Sequence, residues 1–297
     1  MIFPSIKHIK ELKLRPSKRL GQNFLIDKNI ASKTVQYAKI SPGDTVVEVG
    51  AGLGALTFFL TQKRANTVCF EKDRQLFKIL KNTLPHDSAV LLFNRDILKV
   101  SFSDFTGNSN KIVLTGSIPY SITALLFLKF LEESCVIKRA VFIVQKEVAQ
   151  RFSALPGSKD YGIPSVYCRA YLKTSLHLTI PPECFYPKPK VDSAVIELVP
   201  VKKKRWDDEG EGLFRQVIRA SFSQRRKTLY NCLKGFIVQK NIDPDLFKKE
   251  SAGEGIDLKR RAETLSVEEF YKLTFVVNKC LKTILCTAAK TQRHKVI

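Results

Sequence analysis

Three glycines follow the first apolar run of the sequence and could admit a ligand to the backbone. Residues 46–54 read Val-Val-Glu-Val-Gly-Ala-Gly-Leu-Gly, and an apolar segment, 55–60, comes next. The run predicts a buried parallel strand, and the segment after it predicts the start of a helix. Glycines let a ligand approach the chain closely, and the free N–H groups of a helix N-terminus can then bind it. The spacing is G-x-G-x-G, which differs from the G-x-G-x-x-G of dinucleotide-binding folds.

Polar residues also follow the next three predicted strands. Glu71 ends the second strand, Asp96 follows the third, and residues 117–120, Ser-Ile-Pro-Tyr, follow the fourth. Ligands of open α/β sheets bind at the carboxyl ends of the strands, and an acid after the second strand can accept both hydroxyls of a ribose. The glycine turn alone would serve equally well for packing a helix against a strand. The four strand ends together predict a nucleoside-binding site.

Strands and helices alternate along the first two thirds of the chain, which predicts a doubly wound parallel sheet. Residues 172–180 alternate between apolar and polar, and residues 193–199 form the last strand. The segment that joins these two strands is too short to hold a crossover helix, so they should pair antiparallel. The predicted fold class is therefore α/β, a Rossmann-like sheet with an antiparallel last strand.

The segment between those two strands, residues 181–190, is rich in proline and carries Phe185 and Tyr186. Prolines stiffen a loop because their φ angle is fixed. If the pocket opens here, the aromatic rings would form a wall beside an extruded base. The alternative is a surface turn whose aromatic side chains only pack against the protein.

A basic run at residues 202–205 marks the predicted domain boundary, because the alternation of strands and helices stops there. We expect an α/β domain over residues 1–201 and a small all-α domain over residues 202–297. A single helix, interrupted by hydroxyl-bearing residues, is predicted over residues 212–234. It carries a group of cations that we name the basic ridge: Arg215, Arg219, Arg225, Arg226 and Lys227. The ridge favours nucleic acid as its partner over a merely solvated face.

The composition supports a polyanionic partner. The chain of 297 residues has 50 Lys and Arg against 28 Asp and Glu, a formal net charge of +22. No apolar run is long enough to cross a membrane. Its cysteines form no C-x-x-C pair and do not cluster with histidines, so we expect reduced thiols and no metal site. The N-terminal residues lack a secretory signal, which favours the cytoplasm, with a mitochondrial transit peptide as the alternative.

Five stretches of the sequence resemble the ribosomal RNA adenine N6-dimethyltransferases, over about residues 15 to 275. They are KRLGQNFL at 18–25, EVGAGLG at 48–54, IPY at 118–120, FYPKPKVDSA at 185–194 and SQRRKTL at 223–229. The resemblance looks strongest to the small-subunit (KsgA) branch, which dimethylates two adjacent adenines near the 3′ end of small-subunit rRNA. It implies an enzyme that uses S-adenosylmethionine (SAM), acts in ribosome biogenesis and works as a monomer on immature small subunits.

The same resemblance implies roles for individual residues around the cofactor. Asn23 and Leu25 should contact the methionine and adenosine portions of SAM, and Gly50 should lie under the methionine portion. Glu71 should accept from the ribose hydroxyls. Asp96 should accept from the adenine amino group.

The residues implied for catalysis include one departure from the family pattern. The family usually has Asn before Leu/Ile-Pro-Tyr, where this sequence has Ser117, which we also expect among the cofactor-binding residues. A serine hydroxyl can also accept a hydrogen bond from the target amino group, but it is shorter by a carboxamide. Tyr120 should stack on the extruded adenine, with Phe185 on its other face. No metal is required, since the positive charge of the sulfonium already activates the leaving group.

Two alternative functions remain compatible with the sequence. The first is a non-catalytic ribosome-assembly or mitochondrial transcription factor that retains the fold, which Ser117 favours. The second is a large-subunit rRNA adenine methyltransferase that confers antibiotic resistance.

Overall fold

The computed structural model describes residues 1–17, 19–85, 89–106, 111–201 and 207–293. The chain forms two compact units. The first unit comprises residues 1–150 and 172–201, and the second comprises residues 151–171 and the part of the chain after Val201. The basic run at 202–205, on which we placed the domain boundary, lies outside the described residues. The sequence predicts residues 151–171 as part of the N-terminal domain, whereas here they cluster with the C-terminal helices.

The first unit is an α/β layer structure. Its strands are β1 (Phe24–Leu25), β2 (Thr45–Val49), β3 (Asn66–Phe70), β4 (Val90–Phe93), β5 (Ile112–Ser117), β6 (Ile137–Gln145), β7 (Leu172–Ile180), β8 (Phe185–Tyr186) and β9 (Ser193–Pro200). Its helices are α1 (Ile6–Glu11), α2 (Lys28–Tyr37), α3 (Thr57–Leu60), α4 (Arg74–Thr83) and α5 (Thr123–Glu132), and α6 (Lys146–Ser153) begins in it. Aspartates cap two of these helices. Asp27 accepts from the N–H groups of Asn29 and Ile30, and Asp73 from those of Gln75 and Leu76.

The main sheet has the strand order β4-β3-β2-β5-β6-β9-β7. From β4 to β6 the neighbours are parallel, and β9 is antiparallel to both β6 and β7. This order confirms the predicted fold class, including the antiparallel last strand. All five residues of β2 are buried, as expected for a central parallel strand that is covered on both faces.

A second, small sheet was not predicted. Phe24 and Leu25 form β1, which pairs antiparallel with β8. The pairing joins two short segments that lie far apart in the sequence. Neither segment is long enough to show strand periodicity by itself.

The second unit is helical in the part that the structure describes. It contains α7 (Ile163–Tyr171), α8 (Asp208–Ser221), α9 (Leu229–Gln239), α10 (Pro244–Gly253) and α11 (Val267–Arg293). A capping box begins α11, because the N–H of Glu269 donates to Ser266 Oγ and the N–H of Ser266 donates to Glu269 Oε2. Residues 151–171 belong here through bonds such as those from Tyr161 Oη to the Leu265 carbonyl and from Tyr271 Oη to the Ala170 carbonyl. Within the described ranges, no helix is long and apolar enough to span a membrane.

The prediction of one interrupted helix over residues 212–234 is wrong. Helix α8 ends at Ser221, and α9 begins at Leu229 after a turn. Thr228 caps α9 by accepting from the N–H of Asn231, which gives the second helix a start of its own. As a result, Arg226 lies in the turn and not on one helix face with Arg215 and Arg219.

Candidate active site

The glycine turn after β2 adopts a backbone that favours glycine at three positions. Gly50, Gly52 and Gly54 have φ angles of +70°, +57° and +83°, in the left-handed region. The N–H groups of Gly50 and Ala51 both donate to the carbonyl of Phe70, at 2.9 and 3.1 Å. These bonds hold the turn against the end of β3, which Glu71 follows.

Glu71 closes this side of the cavity and is only 7% exposed. Its Oε2 accepts from the N–H of Gly52 at 2.8 Å, and its Oε1 accepts from the N–H of Asp73 at 2.7 Å. Burial raises the pKa of Glu71, and these two backbone donors offset part of the rise. Because a carboxylate oxygen has two lone pairs, both oxygens can still accept from a ligand.

Asp96 forms part of the cavity wall after β4 and is paired with a cation. Lys72 Nζ lies 2.8 Å from Asp96 Oδ2, and the N–H of Leu98 donates to Asp96 Oδ1 at 3.1 Å. Burial acts to raise the pKa of Asp96, but the bonds from Lys72 and Leu98 outweigh it, so that the pKa is lowered overall. The carboxyl is therefore an ionised acceptor near neutral pH.

Glu48 is a cavity-lining acid to which the sequence reasoning gave no role. It is 1% exposed, and its Oε2 accepts from Thr57 Oγ1 at 2.7 Å and from Cys69 Sγ at 3.2 Å. Burial raises the pKa of Glu48 to about 7, and the bonds from Thr57 and Cys69 only partly oppose this rise. The signal in the sequence was a single acid within an otherwise apolar strand.

The small β1–β8 sheet brings two of the motifs to the cavity. Leu25 pairs with Phe185 and Phe24 with Tyr186, and the N–H of Ile26 donates to the carbonyl of Cys184 at 2.9 Å. Leu25 and Phe185 both line the cavity. Residues implied for cofactor binding and for the aromatic wall are thereby held next to each other.

The segment after β5 forms the remaining side of the cavity. Ser117 is the last residue of β5 and is half-buried, and the N–H of Ile118 donates to the carbonyl of Ile143 at 2.9 Å. Tyr120 is half-buried in the turn that follows, and its Oη lies 3.1 Å from Ser193 Oγ. Ser193, on β9, also lines the cavity and was not singled out from the sequence.

Every residue expected from the sequence to serve the cofactor or catalysis lines this one cavity in the first unit. They are Asn23, Leu25, Gly50, Glu71, Asp96, Ser117, Tyr120 and Phe185. Their convergence is observed, and their individual roles remain predictions. Among the residues that the structure describes, no group of His, Cys, Asp or Glu is suitable for a metal ion.

The residues of the basic ridge belong to the second unit and do not share one helix face. Arg215 and Arg219 lie on α8, while the exposed residues 225–227 lie in the turn before α9. Arg225 is held in place, because its Nε lies 3.3 Å from Glu263 Oε2 and its guanidinium also donates to the Lys159 carbonyl. RNA binding by these residues remains a prediction.

The fold, with its cavity at the carboxyl ends of the parallel strands, is that of a Rossmann-like methyltransferase. The family described as ribosomal RNA adenine dimethylase matches residues 13–279, and the chain belongs to this family.

Relatives and solved structures agree with this assignment. The chain is 40% identical over 274 residues to ribosomal RNA small subunit methyltransferase A of Clostridioides difficile, covering 91% of this chain and 93% of that protein. It is 39% identical over 272 residues to the protein of the same name from Clostridium acetobutylicum, covering 92% and 97%. A dimethyladenosine transferase from Plasmodium falciparum superposes with a TM-score of 0.71 at 24% identity, covering 86% of this chain and 97% of that chain. The 23S rRNA methyltransferase ErmE superposes with a TM-score of 0.66 at 21% identity, covering 86% of this chain and 100% of that chain. These two structures support the fold.

Proposed function

We propose that this protein is an enzyme that transfers methyl groups from SAM to N6 of two adjacent adenines near the 3′ end of small-subunit rRNA. Family membership supports the reaction, and relatives about 40% identical are named as small-subunit methyltransferases. The observation that carries the proposal is the convergence of the cofactor-type and target-type residues on one cavity. We expect the protein to act as a monomer, as the resemblance implies, and to act in the cytoplasm.

The residues of the first unit fit SAM as the methyl donor. The turn at Gly50 and Gly52 lines the cavity and presents backbone without side chains to a ligand. Glu71 would hold the ribose hydroxyls, Asp96 the adenine amino group, and Asn23 the methionine portion. When bound, SAM supplies an electrophilic methyl group on a positively charged sulfur.

The target amino group needs assistance because its lone pair is delocalised into the adenine ring. Ser117 Oγ makes no hydrogen bond to another described residue, so it is free to accept from that amino group. A second acceptor, a backbone carbonyl of the Ser-Ile-Pro-Tyr segment, would draw the other hydrogen out of the ring plane. The lone pair would then be localised for in-line attack on the methyl group.

The aromatic residues of the cavity would hold the extruded base. Tyr120 and Phe185 both line the cavity, and stacking between aromatic side chains is how enzymes that act on a base hold it outside the helix. The exposed cations at 225–227 would bind the RNA backbone and position the substrate without reading its sequence.

Tritium transfer from SAM to immature small subunits tests the proposal. We expect label in small-subunit rRNA, in dimethyladenine, and digestion of the labelled RNA locates it. Intact SAM binding without any label would support the non-catalytic alternative instead. Label in large-subunit rRNA would support the antibiotic-resistance alternative, which the names of the relatives do not favour.

A further inference from the structure

The turn that carries Tyr120 has few fixed points of its own. Residues 118–122 lie between β5 and α5 and belong to neither. Three bonds fix the ends of the turn: Ile118 N–H donates to the Ile143 carbonyl, and Ile122 N–H and Thr123 Oγ1 both donate to the Pro119 carbonyl. The side chain of Tyr120 is half-buried and reaches across the cavity wall to one polar partner, Ser193, at 3.1 Å.

Ser193, by contrast, is held rigidly. It is 1% exposed and begins β9, where it pairs with Gln145 on one side and Ile180 on the other. The residue before it is fixed as well, since the carbonyl of Asp192 accepts from the N–H of Lys146 and the two side chains form an ion pair at 3.0 Å. The Ser193 hydroxyl is therefore a fixed point in the interior of the sheet, at the edge of the cavity.

We propose that Ser193 is a positioning residue, which acts through the phenol of Tyr120 to hold the aromatic ring where the target adenine stacks. The phenolic oxygen lies on the long axis of the ring, so a bond to it sets the direction in which the ring points, whichever hydroxyl donates. Without this bond, no side-chain hydrogen bond to a described residue holds the ring in its present rotamer. The inference deepens the proposed function and rests on it, because it requires an adenine target.

The expected effect is modest and lies in turnover. A single neutral hydrogen bond contributes about 2- to 10-fold in an equilibrium or rate, so we expect kcat on immature small subunits to fall by about that factor in Ser193→Ala. The Kd for SAM should not change, because neither hydroxyl is assigned to the cofactor. Ser193→Thr keeps the hydroxyl and should restore most of kcat.

A double-mutant cycle separates positioning from general damage to the fold. Tyr120→Phe removes the other half of the bond and should lower kcat to the same extent as Ser193→Ala, and the double variant should be no slower than either single variant. The matched control is Ser251→Ala in the second unit, which also removes a buried serine hydroxyl and should leave kcat unchanged. The proposal would be overturned if the double variant lost kcat by the product of the two single-variant factors. It would also be overturned if Ser193→Ala kept the kcat of the wild type.

A second measurement follows the hydrogen bond between Tyr120 and Ser193, which we name the tether, without requiring turnover. In protein labelled with 3-fluorotyrosine, the ¹⁹F resonance of Tyr120 is identified by its loss in Tyr120→Phe. It should shift towards the random-coil position in Ser193→Ala but not in Ser251→Ala, and an unmoved resonance would refute the tether. A protein with an intact tether that transfers no methyl group would refute the proposed function, whereas an active protein indifferent to Ser193 would refute the positioning role alone.

Discussion

Leu25 and Phe185 face each other as a register pair between β1 and β8, and both line the same cavity. Leu25 comes from the segment assigned to the cofactor, and Phe185 comes from the loop assigned to the target base. The pairing means that the two halves of the proposed site are built on one shared ladder of backbone hydrogen bonds. A change on either strand should therefore affect both binding steps.

Glu71→Ala should weaken SAM binding. The side chain is buried, and hydrogen bonds to a charged acceptor contribute about 1.5 to 3 kcal/mol, so we expect the Kd to rise by about 10- to 100-fold. Isothermal titration calorimetry measures it. Exposed Glu132→Ala, on α5, is the control with the same charge change and should bind SAM as the wild type does. An unchanged Kd in Glu71→Ala would remove Glu71 from the cofactor site.

Ser117→Ala tests whether the hydroxyl replaces the family's Asn. Loss of a transition-state acceptor should lower kcat by about 10-fold or more. Ser117→Asn supplies the longer acceptor and should retain or raise kcat. The measurement is single-turnover methyl transfer to immature small subunits. If Ser117→Ala is fully active, the hydroxyl takes no part in the reaction.

Changing Arg225 and Arg226 together to Ala should weaken RNA binding and leave SAM binding intact. The slope of log K against log salt should become shallower by about 0.7 to 0.9 for each phosphate that the variant no longer neutralises. Filter binding at several salt concentrations gives the slope. The charge-matched control changes exposed Lys33 and Lys63 of the first unit to Ala. Equal slopes for the wild type and the arginine variant would rule out a role for the turn in docking.

Gly116→Ala should destabilise the first unit. A Cβ at this position would lie 2.4 Å from the Val49 carbonyl oxygen, which is backbone and cannot move aside. Forcing an extra carbon into a packed interior costs roughly 1 to 3 kcal/mol. Gly235→Ala is the control of opposite sign, because nothing lies within 4 Å of its added Cβ in α9, and it should stabilise by about 0.5 to 1 kcal/mol. Urea unfolding measures both, and equal midpoints for Gly116→Ala and the wild type would contradict the clash.

Glu48 should make stability fall as the pH rises. Its pKa is about 7 in the fold against 4.5 ordinarily, so the folded protein binds the proton more tightly than the unfolded chain does. The free energy of unfolding should therefore decrease between pH 4.5 and 7, by up to roughly 3 kcal/mol from this group.

Glu48→Gln removes the titration of Glu48 but keeps that of Glu71, whose pKa is also raised by burial. The difference between this variant and the wild type therefore reports on Glu48 alone. Urea unfolding at pH 5 and pH 8 should show that Glu48→Gln gains stability relative to the wild type at the higher pH. Glu132→Gln, an exposed position, should show no such gain. A wild-type pH dependence in Glu48→Gln would assign the titration to another group.

Much of the fold and site was predictable because its signals are local. The apolar run ending in glycines predicted β2 and its turn, and the acids at strand ends predicted Glu71 and Asp96 as cavity residues. The antiparallel pairing of β7 with β9 followed from the shortness of the loop between them. Each of these inferences needs only the spacing of neighbouring residues.

Other features depend on contacts between distant parts of the chain, and only the tertiary structure decided them. Two residues at Phe24–Leu25 become a strand because β8 pairs with them, and residues 151–171 join the helical unit through bonds such as that from Tyr161 to Leu265. The sequence determined which residues are suited to the chemistry, since that depends on side-chain type. Only the fold decided that the Tyr120 hydroxyl meets Ser193, because such a contact depends on how separate strands are arranged in space.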